Sequence, residues 1–168
     1  MAKLREKAEE KQTSSQLHHP DVSTLEAIVK ALYESVSFSP GRQPDYTRFR
    51  SLFHPDSRVI PPKAEKSSSL VVMDVETFIT RSREHVVTTG LERKGFFERE
   101  IARRVESFGI LVHIFSTYES RHRAQDPDPI QRGINSIQLV KDAHRWWIVS
   151  ILWDIERPGN PIPKAYLI

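Results

Sequence analysis

Few residues of this chain are of a type that moves protons near neutral pH. His54, in the turn His54-Pro55-Asp56, and His85, one step from an apolar helical stripe, are the histidines placed where they would border an interior site. Asp154 follows Trp153 at the end of the last apolar run, and it reads either as an acid or base or as the ion-pair partner of a nearby arginine. Arg99 and Arg103 alternate with Phe97, Ile101 and Val105, which suits an anionic ligand or, equally, arginine stems lying along a sheet edge. Other chemistries lack their parts. There is no cysteine, so thiolate metal sites, iron–sulfur clusters, disulfides and cysteine nucleophiles are excluded. No histidine or carboxylate cluster has metal-ligand spacing, no glycine-rich run cradles a phosphate, and no GxSxG elbow presents a serine, so neither a metal nor a cofactor is expected.

The elements that must position these residues fit in one domain of 168 residues, since a chain of about 150 already buries roughly 70% of its unfolded surface. Hydrophobic residues at 38% and charged residues at 28% describe a globular chain. The 25 Lys and Arg exceed the 22 Asp and Glu by only three, and Arg93-Lys94 and Arg103-Arg104 are interspersed with Glu92, Glu98, Glu100 and Glu106. That dilution argues against nucleic acid as a partner. No run approaches ~20 apolar residues, which argues against a membrane span. Residues 1–19 are polar and charged without a leader pattern, so a disordered tail and a cytoplasmic location are expected. Residues 158–168, with Pro161, Pro163, Tyr166 and Leu167, are expected to lie extended over a body or partner surface.

Between these tails, residues 20–157 switch period once. Ser23 and Glu26 have capping-box spacing, and Leu25, Ile28, Val29, Leu32 and Val36 then recur at helical spacing with Tyr33 beside the stripe. A short helix with Tyr46, Phe49, Leu52 and Phe53 follows Pro44-Asp45, then a short strand stopped by Pro61-Pro62. Asp74 caps a third helix carrying Val75, Phe78, Ile79, Ser82 and Val86. From Gly95 onward, four alternating segments, near 96–108, 110–123, 130–141 and 145–156, are joined by short turns. Helices followed by a strand meander predict an α+β domain, three helices packed on a curved, mainly antiparallel sheet.

With Asp142-Ala143 as a tight turn, one face of the last hairpin collects Asn135, Ile137, Leu139, Trp146, Ile148, Ser150, Leu152 and Asp154. The other collects Ser136, Gln138, Val140, Trp147, Val149, Ile151, Trp153 and Ile155, and neither face is polar. The helices cover one face only, so a homodimer through the other is the economical expectation.

The order of elements, the run LFHPDSRVIPP and the closing WWIVSILWDIE resemble the nuclear transport factor 2-like superfamily, and within it the SnoaL-like polyketide cyclase and ketosteroid isomerase branch. The resemblance spans about Val22 to Glu156 and implies a cone-shaped fold enclosing a pocket. In ketosteroid isomerases an aspartate base precedes a proline after the LF turn; the matching place here is Pro61, so that base is missing. Their strand aspartic acid donor matches Asn135, whose amide can still polarise a ligand oxygen. By the same matching, Ile114, Ser116 and Tyr118 share the pocket face with Asn135, Ile137, Ser150, Leu152 and Asp154, while Tyr33, Phe53, Phe78 and His85 reach in from the helical side. Asn135, Tyr118, His54 and Asp154 are then the catalytic candidates, the remainder ligand-binding, and the ligand a small hydrophobic oxygen-bearing molecule. The alternative is a non-enzymatic dimeric binding or interaction module, with the aromatics serving as core.

Overall fold

The computed structural model describes residues 20–63 and 69–168, so the expected N-terminal tail lies outside the described residues. Helix α1 (Leu25–Val36) is preceded by a 3-10 turn at Pro20–Val22. That turn moves the cap one residue from the expected position: the Ser23 hydroxyl donates back to the Pro20 carbonyl at 2.8 Å, and Thr24 Oγ1 instead accepts from the Ala27 N–H at 3.0 Å. Asp45 caps α2 (Tyr46–Leu52) and Asp74 caps α3 (Val75–Thr88), each carboxylate accepting from the N–H three residues on. A fourth helix of one turn, α4 (Leu91–Lys94), lies between Gly90 and Gly95.

Five strands follow the order β1-β5-β4-β3-β2, with β1 (Phe53–Ile60), β2 (Phe97–Phe108), β3 (Leu111–Arg121), β4 (Gln131–Asp142) and β5 (Arg145–Ile155). The last four form the expected antiparallel meander, and β1 adds to its edge parallel to β5. This is an α+β fold with a curved, open sheet. Helices α1, α2 and α3 cover its inner face, where Ile28, Leu52, Ile114, Ile137, Leu139 and Ile148 keep no exposed surface. Full burial of such side chains stabilises by roughly 1.5–3 kcal/mol each.

The outer face is covered in part by the chain itself. The C-terminal segment turns back through an Arg157–Asn160 bridge, and the Tyr166 ring packs on Phe115 at 5.0 Å. Thr117 Oγ1 donates to the Tyr166 carbonyl at 2.6 Å, and Arg104 reaches the Ala165 carbonyl at 2.9 Å. A second copy is therefore not the sole cover available to that face.

Candidate functional site

Two β-bulges decide what the inner face presents. Counting back from the β2–β3 hairpin at Gly109, plain alternation pairs Ile101 with Tyr118, yet a one-residue shift between Glu100 and Ala102 brings Glu100 opposite Tyr118 and Glu98 opposite Ser120. Both glutamates thereby point inward. On β5 a shift after Ile148 pairs Gln138 with Ser150, so Asn135 faces Trp153 and Ile137 faces Ile151. Trp146 and Ile148 keep the expected face; beyond the bulge, Ile151 and Trp153 turn in.

The inner face divides into a packed part and an open one. At the open end lies a cavity of about 430 Å3, walled by apolar side chains such as Leu32, Phe49, Met73, Phe78, Ile151 and Trp153, and entered by Glu98, Tyr118, Asn135 and Gln131. Glu98 is fixed where α1 meets β2. Phe38 and Phe96 exchange backbone hydrogen bonds at 2.6 and 2.9 Å, and the Ser37 hydroxyl accepts from the Glu98 N–H at 2.9 Å while donating to the Tyr33 carbonyl at 2.7 Å. The Glu98 carboxyl has no hydrogen bond or ion pair among the described residues, and burial alone pushes it up to about 8.

Next to it runs a hydrogen-bond chain of one polarity. Arg103 donates to Glu100 Oε2 at 2.8 Å, and Ser116 Oγ donates to Glu100 Oε1 at 2.6 Å. Ser116 has thus used its proton, so the Tyr33 hydroxyl, 2.6 Å away, donates to it and accepts from Asn135 Nδ2 at 3.1 Å. The chain sets the Asn135 amide, leaving Oδ1 and one N–H for the cavity. Burial, then the charge of Glu98, holds the Tyr33 hydroxyl well above its ordinary value; the same two causes raise Tyr118, whose hydroxyl has no partner among the described residues. The Tyr118 ring lies against Gly133, where an added Cβ would come within 2.6 Å of the hydroxyl oxygen, so this strand position has room for glycine alone.

No protein-family profile matches the sequence, and no curated protein matches it. Solved structures do. A candidate ketosteroid isomerase from Parabacteroides distasonis ATCC 8503 is 13% identical, with 84% of this chain and 99% of that one covered at TM-score 0.56. A nuclear transport factor 2-like protein of unknown function from Shewanella baltica OS155 is 16% identical, covering 79% and 93% at 0.50. The chain has the nuclear transport factor 2-like fold. LinA shares it at 8% identity, 77% and 81% coverage and TM-score 0.54.

Within this fold the expected site residues separate into three groups. Tyr118, Asn135, Phe78 and His85 line the cavity, and so does Pro61, at the place where the resemblance has a base. Tyr33 and Ser116 stand behind the wall in the hydrogen-bond chain, and Phe53, Ile114 and Ile137 are buried in the packed core. The remaining four lie elsewhere. Ser150, Leu152 and Asp154 are turned to the outer face by the β5 bulge, with Leu152 41% exposed. Asp154 accepts from Arg157 at 2.7 Å and from the Ile155 N–H at 2.9 Å, and these bonds hold its carboxyl below the usual range. His54 sits outside the cavity, edge-on to Trp147 at 5.8 Å, with Nδ1 accepting from the Asp56 N–H at 3.2 Å, because β1 carries it to the sheet edge. Sequence reading missed Glu98 and Trp153, since alternation placed each on the opposite face from the one the bulges give it.

Proposed function

We propose that the cavity binds a small, mostly apolar, oxygen-bearing molecule and that Glu98 moves a proton on it, a step of the isomerase, cyclase or dehydratase type. The observation carrying this reading is a carboxyl with a pKa of about 8 and a tyrosine hydroxyl, both without a partner among the described residues, in one apolar cavity. Near neutrality Glu98 exists in both forms. As carboxylate it takes a proton from the carbon next to a carbonyl; the C–H electron pair moves to form the enolate, whose oxygen receives hydrogen bonds from Tyr118 and Asn135; protonated Glu98 then returns the proton to carbon. Glu98 fills the role left empty at Pro61, from a different strand.

The test is exchange of the α-protons of butyrophenone in heavy water, with binding followed by thermal shift. Wild type should bind the ketone and catalyse exchange, and Glu98→Gln should lose roughly 100- to 10,000-fold in rate with binding retained. Asn135→Leu should slow exchange more than it weakens binding. Binding with no exchange in wild type would favour the non-enzymatic module instead.

A further inference from the structure

The two ends of the cavity differ in charge. Deep inside, Glu98, Tyr118 and Asn135 meet an apolar wall. At the opening stand Arg81 and His85, one helical turn apart on α3 and so on one side of that helix, both lining the cavity and both exposed. Neither side chain has an ion pair or hydrogen bond among the described residues. This is unlike the arginines around them: Arg50 holds Glu76, Arg48 holds Asp21 and Glu34, and Arg83 lies over the Tyr46 ring at 4.9 Å. Among the described residues Glu98 is the one acidic side chain of the cavity wall, and burial is what displaces its titration. Among the described residues the guanidinium at the lip therefore has no ion-pair partner.

We infer that the ligand is an amphipathic oxo acid, its apolar body filling the cavity, its carbonyl beside Tyr118 and Asn135, and its carboxylate paired with Arg81 at the lip while His85 donates a further hydrogen bond. This rests on the reading given under Proposed function and adds the class of substrate. A carboxylate suits the site better than a phosphate, because one planar guanidinium matches two coplanar oxygens, whereas a phosphate dianion calls for more donors and charge than the lip offers. A cationic head would meet Arg81 with repulsion. The carboxylate also orients the molecule: it stays in water-accessible surroundings at the lip, where ionisation costs least, and sends the carbonyl end toward Glu98.

The experiment compares 4-oxo-4-phenylbutanoate, and its homologues one and two methylenes longer, with the corresponding methyl esters and with butyrophenone, by calorimetric or thermal-shift titration. Wild type should bind the best-fitting acid about tenfold more tightly than its ester, in line with a partly exposed charge-assisted contact. Arg81→Gln should remove that preference and leave ester and ketone affinities within about twofold. Arg83→Gln, which removes the same charge two positions away from a side chain that does not line the cavity, should keep it. Acid and ester binding equally to wild type, or Arg83→Gln erasing the preference as fully as Arg81→Gln, overturns the carboxylate assignment while the cavity reading stands. If neither acid, ester nor ketone binds, the reading under Proposed function fails and this inference with it.

Discussion

Glu98 and Glu100 lie two residues apart on β2, both aimed at the inner face, and their surroundings are opposite. Around Glu100 the polar groups close on one another: Arg103 and Ser116 both donate to it, and Tyr33 and Asn135 extend the chain. Around Glu98 they do not, and the carboxyl is left facing a cavity with its pKa raised to about 8. A satisfied network rigidifies, whereas an unsatisfied buried acid is retained at a cost in stability. The difference assigns Glu100 to holding the site and Glu98 to acting in it.

The largest way to break that contrast is Arg103→Met. It leaves the Glu100 carboxylate with Ser116 alone in a half-buried position, and should cost about 3 kcal/mol, measured by urea unfolding. An unchanged midpoint would show that the pair contributes nothing.

Glu98→Gln should act in the other direction. The folded pKa of Glu98 lies above its ordinary value of 4.5, so the native state keeps a proton that the unfolded chain has released, and wild-type stability falls as pH rises from about 4.5 to about 8. Gln has no proton to lose. The variant should match wild type at pH 4 and exceed it by about 2 kcal/mol at pH 9 once solvent access through the opening is allowed for, roughly 4–8 °C in melting temperature. A variant with the same pH profile as wild type would place Glu98 in water.

The smallest effect is expected at a third acidic side chain. Asp154→Asn removes an exposed pairing with Arg157 and should change stability by less than about 0.5 kcal/mol and butyrophenone affinity not at all. A severalfold affinity change would return Asp154 to the cavity and remove the β5 bulge from the account.

Much of the architecture is legible in the sequence because it rests on short-range signals. The Asp45 and Asp74 caps, the apolar stripe of α1 and the turn at Asp142-Ala143, where Ala143 adopts φ of 48°, all act within a few residues. Strands β3 and β4 pair without a shift and keep the faces that alternation predicts, and these contain Ile114, Ser116, Tyr118, Asn135 and Ile137. Glu98 and Trp153 each lie beyond an inserted residue in a strand. A bulge reverses the inward face of everything after it, and nothing in EIA or IVS distinguishes a bulged residue from an alternating one.

The sequence by itself therefore determined the α+β order, the meander, the absence of thiol chemistry and the pairing of Tyr118 and Asn135 with the interior. Tertiary structure decided which carboxylate the cavity keeps. Where the sheet curves to leave room beneath α1 and α3, the bulges at Ile101 and after Ile148 bring Glu98 and Trp153 in and send Asp154 and Leu152 out. The physical reason is that strand register is set by packing between segments far apart in the chain, while alternation within one strand is blind to it.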